Sequence, residues 1–335
     1  LKNLEIIFIF TLYNSDRPFQ MTFRTELNLN PSPFNISHQH SILMLGSCFT
    51  SHIGDRLQKY KFNCISNPFG TIFHPVAIAK TIAYILEGRP IDPSDLILSQ
   101  GLMVHPDFHS SLAGTSVVIS QEKMNTAIDH THQLVRQLDY LFITLGTSIG
   151  YRSLKNGKIV ANCHKIPASA FTKETTSIET IVNELQKVFS HLHNVNQTIK
   201  IILTVSPVRH IKDGLIANSR SKAQLILACE QLCQTLPFVS YFPAYEWLMD
   251  DLRDYRFFEA DLIHPNTQAV DYVWQKFSDH YFDNTTHEIN RRIEKINKSL
   301  EHRPFNPDSK EHHTFVNNTE KEIQLLSKEY PWMKF

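Results

Sequence analysis

From Ser41 onward, short apolar runs alternate with longer stretches of helical period, and turn residues fall between them. Ile42 to Leu45 reads as a buried strand, because four consecutive apolar residues leave no polar face. A helical stretch follows around His52 to Tyr60, then a second strand from Phe62 to Ser66 and a turn-rich Asn67, Pro68, Phe69, Gly70, Thr71. Val76 to Leu86 has helical periodicity and stops at Gly88 and Pro90. Residues 92–120 show little periodicity and read as an insertion over one sheet edge. Met124 to Gln137 is an amphipathic helix and Tyr140 to Leu145 a third apolar strand. Asn156 and Gly157 between strand-like flanks mark a hairpin within Tyr151 to Asn162. Ile178 to Leu192 is helical, Lys200 to Val205 a fourth strand, Ala217 to Gln234 a helix and Phe238 to Phe242 a fifth strand. Thr267 to Tyr281 is a helix capped by Asn266. Five apolar strands separated by helices predict a mainly parallel five-stranded sheet covered on both faces, a three-layer α/β/α sandwich.

The two ends differ from this pattern. Ile6 to Phe10 is apolar but far shorter than the roughly 20 residues a membrane span needs, so no membrane span is expected. Residues 1–20 read as an N-terminal extension and residues 21–283 as the main domain. Ile289, Ile293, Ile296 and Leu300 form one apolar stripe on a charged helix, and a second helix is expected from Asn318 to Ser327. Residues 284–335 therefore read as a helical appendage that packs back on the domain.

Composition narrows the function classes. The 335 residues carry 33 basic and 33 acidic side chains, which argues against a nucleic-acid partner. Hydrophobic residues make up 42%, enough for a sizeable core. Five scattered Cys suggest no disulfide framework, so a reducing, cytoplasmic compartment is the default expectation. His105 with His109, His191 with His193, and His312 with His313 lack the convergent spacing of a zinc site, and no glycine-rich phosphate loop occurs. Neither metal nor cofactor is expected.

In open parallel sheets, ligands collect at the carboxyl ends of the strands. After the first strand come Gly46, Ser47, Cys48, Phe49 and Thr50, where a small residue lets the chain turn and present a hydroxyl at a helix start. A serine needs a base, and Asp, two residues, then His on one loop is an economical way to orient one. With 18 His in the chain, chance alone yields about one such spacing, so position has to select it. Asp129 and His132 fall inside a helix, whereas Asp261 and His264 follow the fifth strand and precede Pro265. Cys48 is the rival nucleophile, and the G-x-S-x-G elbow of α/β-hydrolases is absent.

Ser after the first strand, Gly after the second, G-x-polar after the third and D-x-x-H before the last domain helix is the block order of SGNH (GDSL-like) hydrolases. Gly46, Ser47, Cys48, Phe49 resembles the signature of the GSCFA family, with Thr50 in place of its Ala. Asn67 to Thr71, Leu145 to Thr147, Asn162 to Lys165, Ser206 to His210, Arg253 to Phe257 and Asp261 to Pro265 resemble that family too. The resemblance implies a flavodoxin-like fold and an ester-hydrolase site with Ser47 as nucleophile, His264 as base and Asp261 as its orienter. It implies an oxyanion hole from the amides of Ser47 and Gly70. The third donor departs from the superfamily pattern, because Gly146, Thr147, Ser148 lacks its Asn, leaving Ser148, Thr147 or Asn162 to substitute. His164, Lys165, Arg209 and His210 are possible substrate-binding residues. The expected activity is hydrolysis of a small-molecule, glycan or lipid ester through an acyl-serine. Acyl transfer to a glycan hydroxyl and a non-catalytic SGNH-like binding module are the alternatives.

Overall fold

A computed structural model describes residues 24–30, 32–333 and 335, and the expected extension over residues 1–20 lies outside them. The central sheet holds β1 (Ile42–Gly46), β2 (Cys64–Ser66), β3 (Tyr140–Leu145), β4 (Lys200–Val205) and β5 (Val239–Tyr241). Their spatial order is β5-β4-β3-β1-β2, and every neighbouring pair is parallel. Among the described residues, six helices of 12 or more residues accompany the sheet: α1 (Cys48–Lys59), α2 (Pro75–Glu87), α3 (Val117–Leu134), α4 (Ile178–Val195), α5 (Leu215–Thr235) and α6 (Thr267–Tyr281). Then come α7 (Asn284–Glu301) and α8 (Lys310–Glu329).

Alternation along the strands divides the core in two. Leu43 and Leu45 of β1 join Leu141, Ile143, Ile201 and Leu203 on the face covered by α2, α4 and α5. Ile42 and Met44 join Phe142 and Ile202 on the other face, under Phe49 and Ile53 of α1 and Trp274 and Phe277 of α6. Each such side chain stabilises the fold by about 1.5–3 kcal/mol when fully buried. The strand order reverses between β1 and β3, and such a switch point opens a crevice at the strands' carboxyl ends.

Local hydrogen bonds move several element boundaries away from the periodicity. Ser116 Oγ accepts the amide of Ile119 at 3.3 Å, so α3 starts at Val117 instead of Met124. Ser309 Oγ accepts the amide of His312 at 3.1 Å, so α8 starts at Lys310 instead of Asn318. The insertion contains an antiparallel pair, Ile97–Ser99 with Leu102–Val104. The expected hairpin pairs Ile149–Ser153 with Ile159–Val160, and Phe171–Thr175, too polar to read as a strand, adds a third strand to it. At the C-terminal end, Ile289, Ile293 and Ile296 pack with Leu326, Tyr330 and Met333, and Tyr60 packs against this cluster. Leu300 departs from the expected stripe and lies 55% exposed.

His74 sits buried at the start of α2, with Nε2 3.1 Å from Thr176 Oγ1 and 3.3 Å from the carbonyl of Ser148. Burial pushes its pKa down from 6.5 to about 4. The unfolded chain therefore binds more protons in that window, and stability present above 6.5 is lost as pH falls towards about 4. His74→Gln is expected to make the fall in thermal midpoint across this window shallower. Equal slopes in the two proteins would contradict the assignment.

Candidate active site

The chain leaves β1 through Gly46, whose φ of 146° suits glycine alone. A Cβ there would lie 2.4 Å from the carbonyl oxygen of Thr144 on β3, so close strand pairing and the turn both require its absence. The Gly46 amide donates to Asn67 Oδ1 at 2.9 Å, tying the turn to the segment after β2. Ser47 is consequently the N-cap of α1, and its Oγ accepts the amide of Phe49 at 3.3 Å. The same Oγ donates to Ser206 Oγ at 3.0 Å, just past β4.

On the loop before α6, His264 Nδ1 lies 2.7 Å from Asp261 Oδ2. Asp261 Oδ1 also accepts the amides of Ile263 at 2.8 Å and His264 at 3.0 Å. The bond from the His264 ring, followed by these two amides, holds the Asp261 pKa down to about 2. With Nδ1 facing the carboxylate, Nε2 is the nitrogen available for proton transfer. The loop is fastened at its neck, where the Glu259 amide donates to the His264 carbonyl at 2.8 Å and the Arg209 amide to the Ile263 carbonyl at 3.2 Å.

Ser47 and His264 line one cavity of about 520 Å³. They share it without a direct hydrogen bond among the described contacts, because the serine hydroxyl is turned to Ser206. Thr147, Arg209 and His210 line the same cavity. The His210 ring packs 5.1 Å from that of Phe73, and a Cβ on Gly146 would lie 3.1 Å from its Nε2, so the third loop approaches the imidazole through a glycine. Burial first, then the charges of Lys222 and His264, push the His210 pKa down to about 4 and keep the ring neutral. Burial likewise pushes the Cys48 thiol up, which disfavours the thiolate a cysteine nucleophile needs.

Several expected contributors are engaged elsewhere. The Ser47 amide donates to the Thr144 carbonyl at 3.2 Å and the Gly70 amide closes its own turn on the Asn67 carbonyl at 2.8 Å, so both expected oxyanion donors are already bonded. Ser148 is fully buried and donates to Gln224 Oε1 at 2.7 Å, because α5 offers that side chain a polar partner away from the cavity. The Thr147 hydroxyl pairs with Ser221 Oγ at 2.9 Å. Asn162, His164 and Lys165 do not line the cavity. Asn162 Oδ1 accepts the His164 amide at 2.8 Å, and His164 Nε2 lies 2.8 Å from the carbonyl of His105, so this segment is fastened to the insertion. His132, of the rejected pair, bonds the carbonyl of Ile85 at 2.8 Å through Nδ1. Among the described residues, no three His, Cys, Asp or Glu side chains converge to hold a metal, and no helix is long and apolar enough to cross a membrane.

The sequence pattern of the GSCFA family matches residues 41–277. The chain belongs to the GSCFA family. The pattern of the GSCFA domain protein C-terminal domain matches residues 293–335. None of the curated protein sequences matches. Among solved structures, the chain is similar to an acetyl xylan esterase from the rumen bacterium Butyrivibrio proteoclasticus, at 13% identity and a TM-score of 0.33. That likeness covers 72% of this chain and 63% of the esterase, so the chain spans less than two thirds of its length.

Two polar groups of this GSCFA chain escaped the sequence reading. Ser206 was within sight, being a hydroxyl residue directly after an apolar strand. Lys222 lies in α5, where Asn218, Ser221, Lys222, Leu225 and Cys229 fall on one buried stripe, so polar residues continue an apolar face. The Lys222 ammonium donates to the carbonyls of Gly146 at 2.6 Å and Ser206 at 2.7 Å, cross-linking the loops after β3 and β4.

Burial pushes the Lys222 pKa down from 10.5 to about 7. Between these values the unfolded chain binds more protons, so this group makes stability rise with pH from about 7 towards 10.5. Lys222→Met is expected to flatten that rise in urea midpoints measured across the window. Parallel curves for the two proteins would overturn the assignment.

Proposed function

We propose that this GSCFA chain is a serine ester hydrolase acting through an acyl-serine intermediate. The observation that carries the reading is the meeting of Ser47 and the Asp261–His264 pair on one cavity at the switch point of the sheet. In the reaction, the Ser47 side chain rotates from Ser206 towards His264, gives its proton to Nε2 and attacks the ester carbonyl. Nε2 then returns the proton to the departing alcohol oxygen. In the second half, a water gives its proton to Nε2, attacks the acyl-serine and releases the acid, restoring the Ser47 hydroxyl.

The developing oxyanion needs donors in place of those already bonded. The amides of Thr71 and Thr147, in loops that line the cavity, have no acceptor among the described residues. His210, neutral and without a hydrogen-bond partner on its ring, supplies a side-chain donor where the superfamily pattern has Asn. A neutral imidazole carries one N–H, enough for one oxyanion contact. The substrate enters as a small-molecule ester.

The second reading is a binding module, favoured by the one observation that the Ser47 hydroxyl rests on Ser206. Assays with p-nitrophenyl esters of graded chain length separate the two. Ser47→Ala and His264→Ala are expected to reduce turnover by on the order of 10⁴-fold, while Cys48→Ala retains it. His210→Ala is expected to lower kcat by roughly a hundred- to a thousandfold with a smaller change in KM, and His210→Gln, which keeps a donor, to recover part of it. Background rates in all proteins would favour the binding module. Product forming only when a glycan hydroxyl is added would mean acyl transfer.

A further inference from the structure

The serine and histidine occupy only part of the cavity, and the charges on the rest of its wall are unbalanced. Arg209 lines it beside His264, with its guanidinium 4.2 Å from the ring centroid of Phe258 and 4.9 Å from that of Tyr255. Contact with two aromatic faces holds the group in place without using its N–H donors. No carboxylate or carbonyl accepts from those donors among the described residues. Three residues on, Lys212 also lines the cavity and has no acidic partner among the described residues. Among the described residues, the one acidic side chain in the wall, Asp213, is taken by Lys173 from the neighbouring three-stranded sheet. Asp261, on the loop that carries His264, is committed to that ring.

We infer that the cavity selects esters carrying an anionic group, a carboxylate or a phosphate, and that the Arg209 fork receives it with Lys212 alongside. The inference rests on the ester-hydrolase reading and adds its substrate class. A planar guanidinium held in place, with its edge donors unused, matches two oxygens of one anion at little further ordering cost. The apolar wall formed by Phe73, Ile149 and Val208 suits the uncharged body of the same molecule. Because Arg209 is tied through its amide to the Ile263 carbonyl, an anion bound at the fork places the rest of the substrate next to His264. Its position relative to Ser47 is thus set by the same loop that holds the base. Charge complementarity of this kind acts as specificity: a neutral ester leaves the two cations without a counter-ion, and an anionic one does not.

Three acetate esters of similar phenols provide the test: para-acetoxybenzoate, para-acetoxyphenyl phosphate and methyl para-acetoxybenzoate, each kcat/KM divided by that ester's rate with hydroxide. Wild-type protein is expected to prefer at least one anionic ester over the neutral one by about tenfold or more, and the two anionic arms show whether carboxylate or phosphate fits better. Arg209→Gln is expected to bring that ratio close to one, and Arg209→Lys, which keeps the charge but not the fork, to leave an intermediate ratio. The preference should weaken as salt is raised. A wild-type ratio at or below one, or a ratio unchanged by Arg209→Gln, overturns the inference while leaving the hydrolase reading intact. Hydrolysis of none of the three, together with no labelling of Ser47 by a fluorophosphonate, overturns the hydrolase reading and this inference with it.

Discussion

One buried lysine holds the candidate site together. Lys222 reaches from α5 beneath the carboxyl ends of the sheet and donates to the carbonyls of Gly146 and Ser206, which belong to two different loops. Neither carbonyl is part of the strand ladder, so each needs a partner when buried. A single donor satisfying both sets the spacing of the loops. The Gly146 loop carries Thr147 into the cavity wall, and the Ser206 loop carries the hydroxyl on which Ser47 rests as well as Arg209 and His210. A hydrophobic side chain at 222 would be cheaper to bury but would leave two carbonyls unsatisfied.

The charge of Lys222 has a consequence for its neighbours. Together with burial it holds the His210 ring neutral, and it acts against the raised pKa of the Cys48 thiol without overcoming burial. A neutral imidazole and a protonated thiol therefore line the same cavity as the Ser47 hydroxyl. The environment of Asp261 runs the other way: exposed and surrounded by N–H donors, it stays ionised and orients His264. Two histidines thus open onto one cavity in different surroundings, His210 buried and His264 paired with Asp261.

Much of the architecture was legible because the signals are local. Apolar runs such as Tyr140 to Leu145, broken only by Thr144, read as strands buried on both faces, and the Asn266 cap fixed the start of α6. Boundaries slipped where a hydroxyl cap outweighed periodicity, as at Ser116 and Ser309. The strand Phe171–Thr175 escaped notice because its pairing with Ile149–Ser153 is decided by the partner strand rather than by its own polar residues.

For the site, the sequence by itself determined the candidate nucleophile, the Asp–His pair and the parallel sheet that carries them, since each depends on residue type and on position after a strand. Tertiary structure alone decided which hydrogen-bonding groups were still available. The amides of Ser47 and Gly70 and the hydroxyl of Ser148 are hydrogen-bonded to Thr144, Asn67 and Gln224. The Ser47–Ser206 bond, Lys222 and the neutral state of His210 emerged only once distant segments were packed together. The reason is physical: a strand or cap forms from neighbours along the chain, whereas the partner of a buried donor and the charge of a buried ring depend on whatever the fold places within a few ångströms.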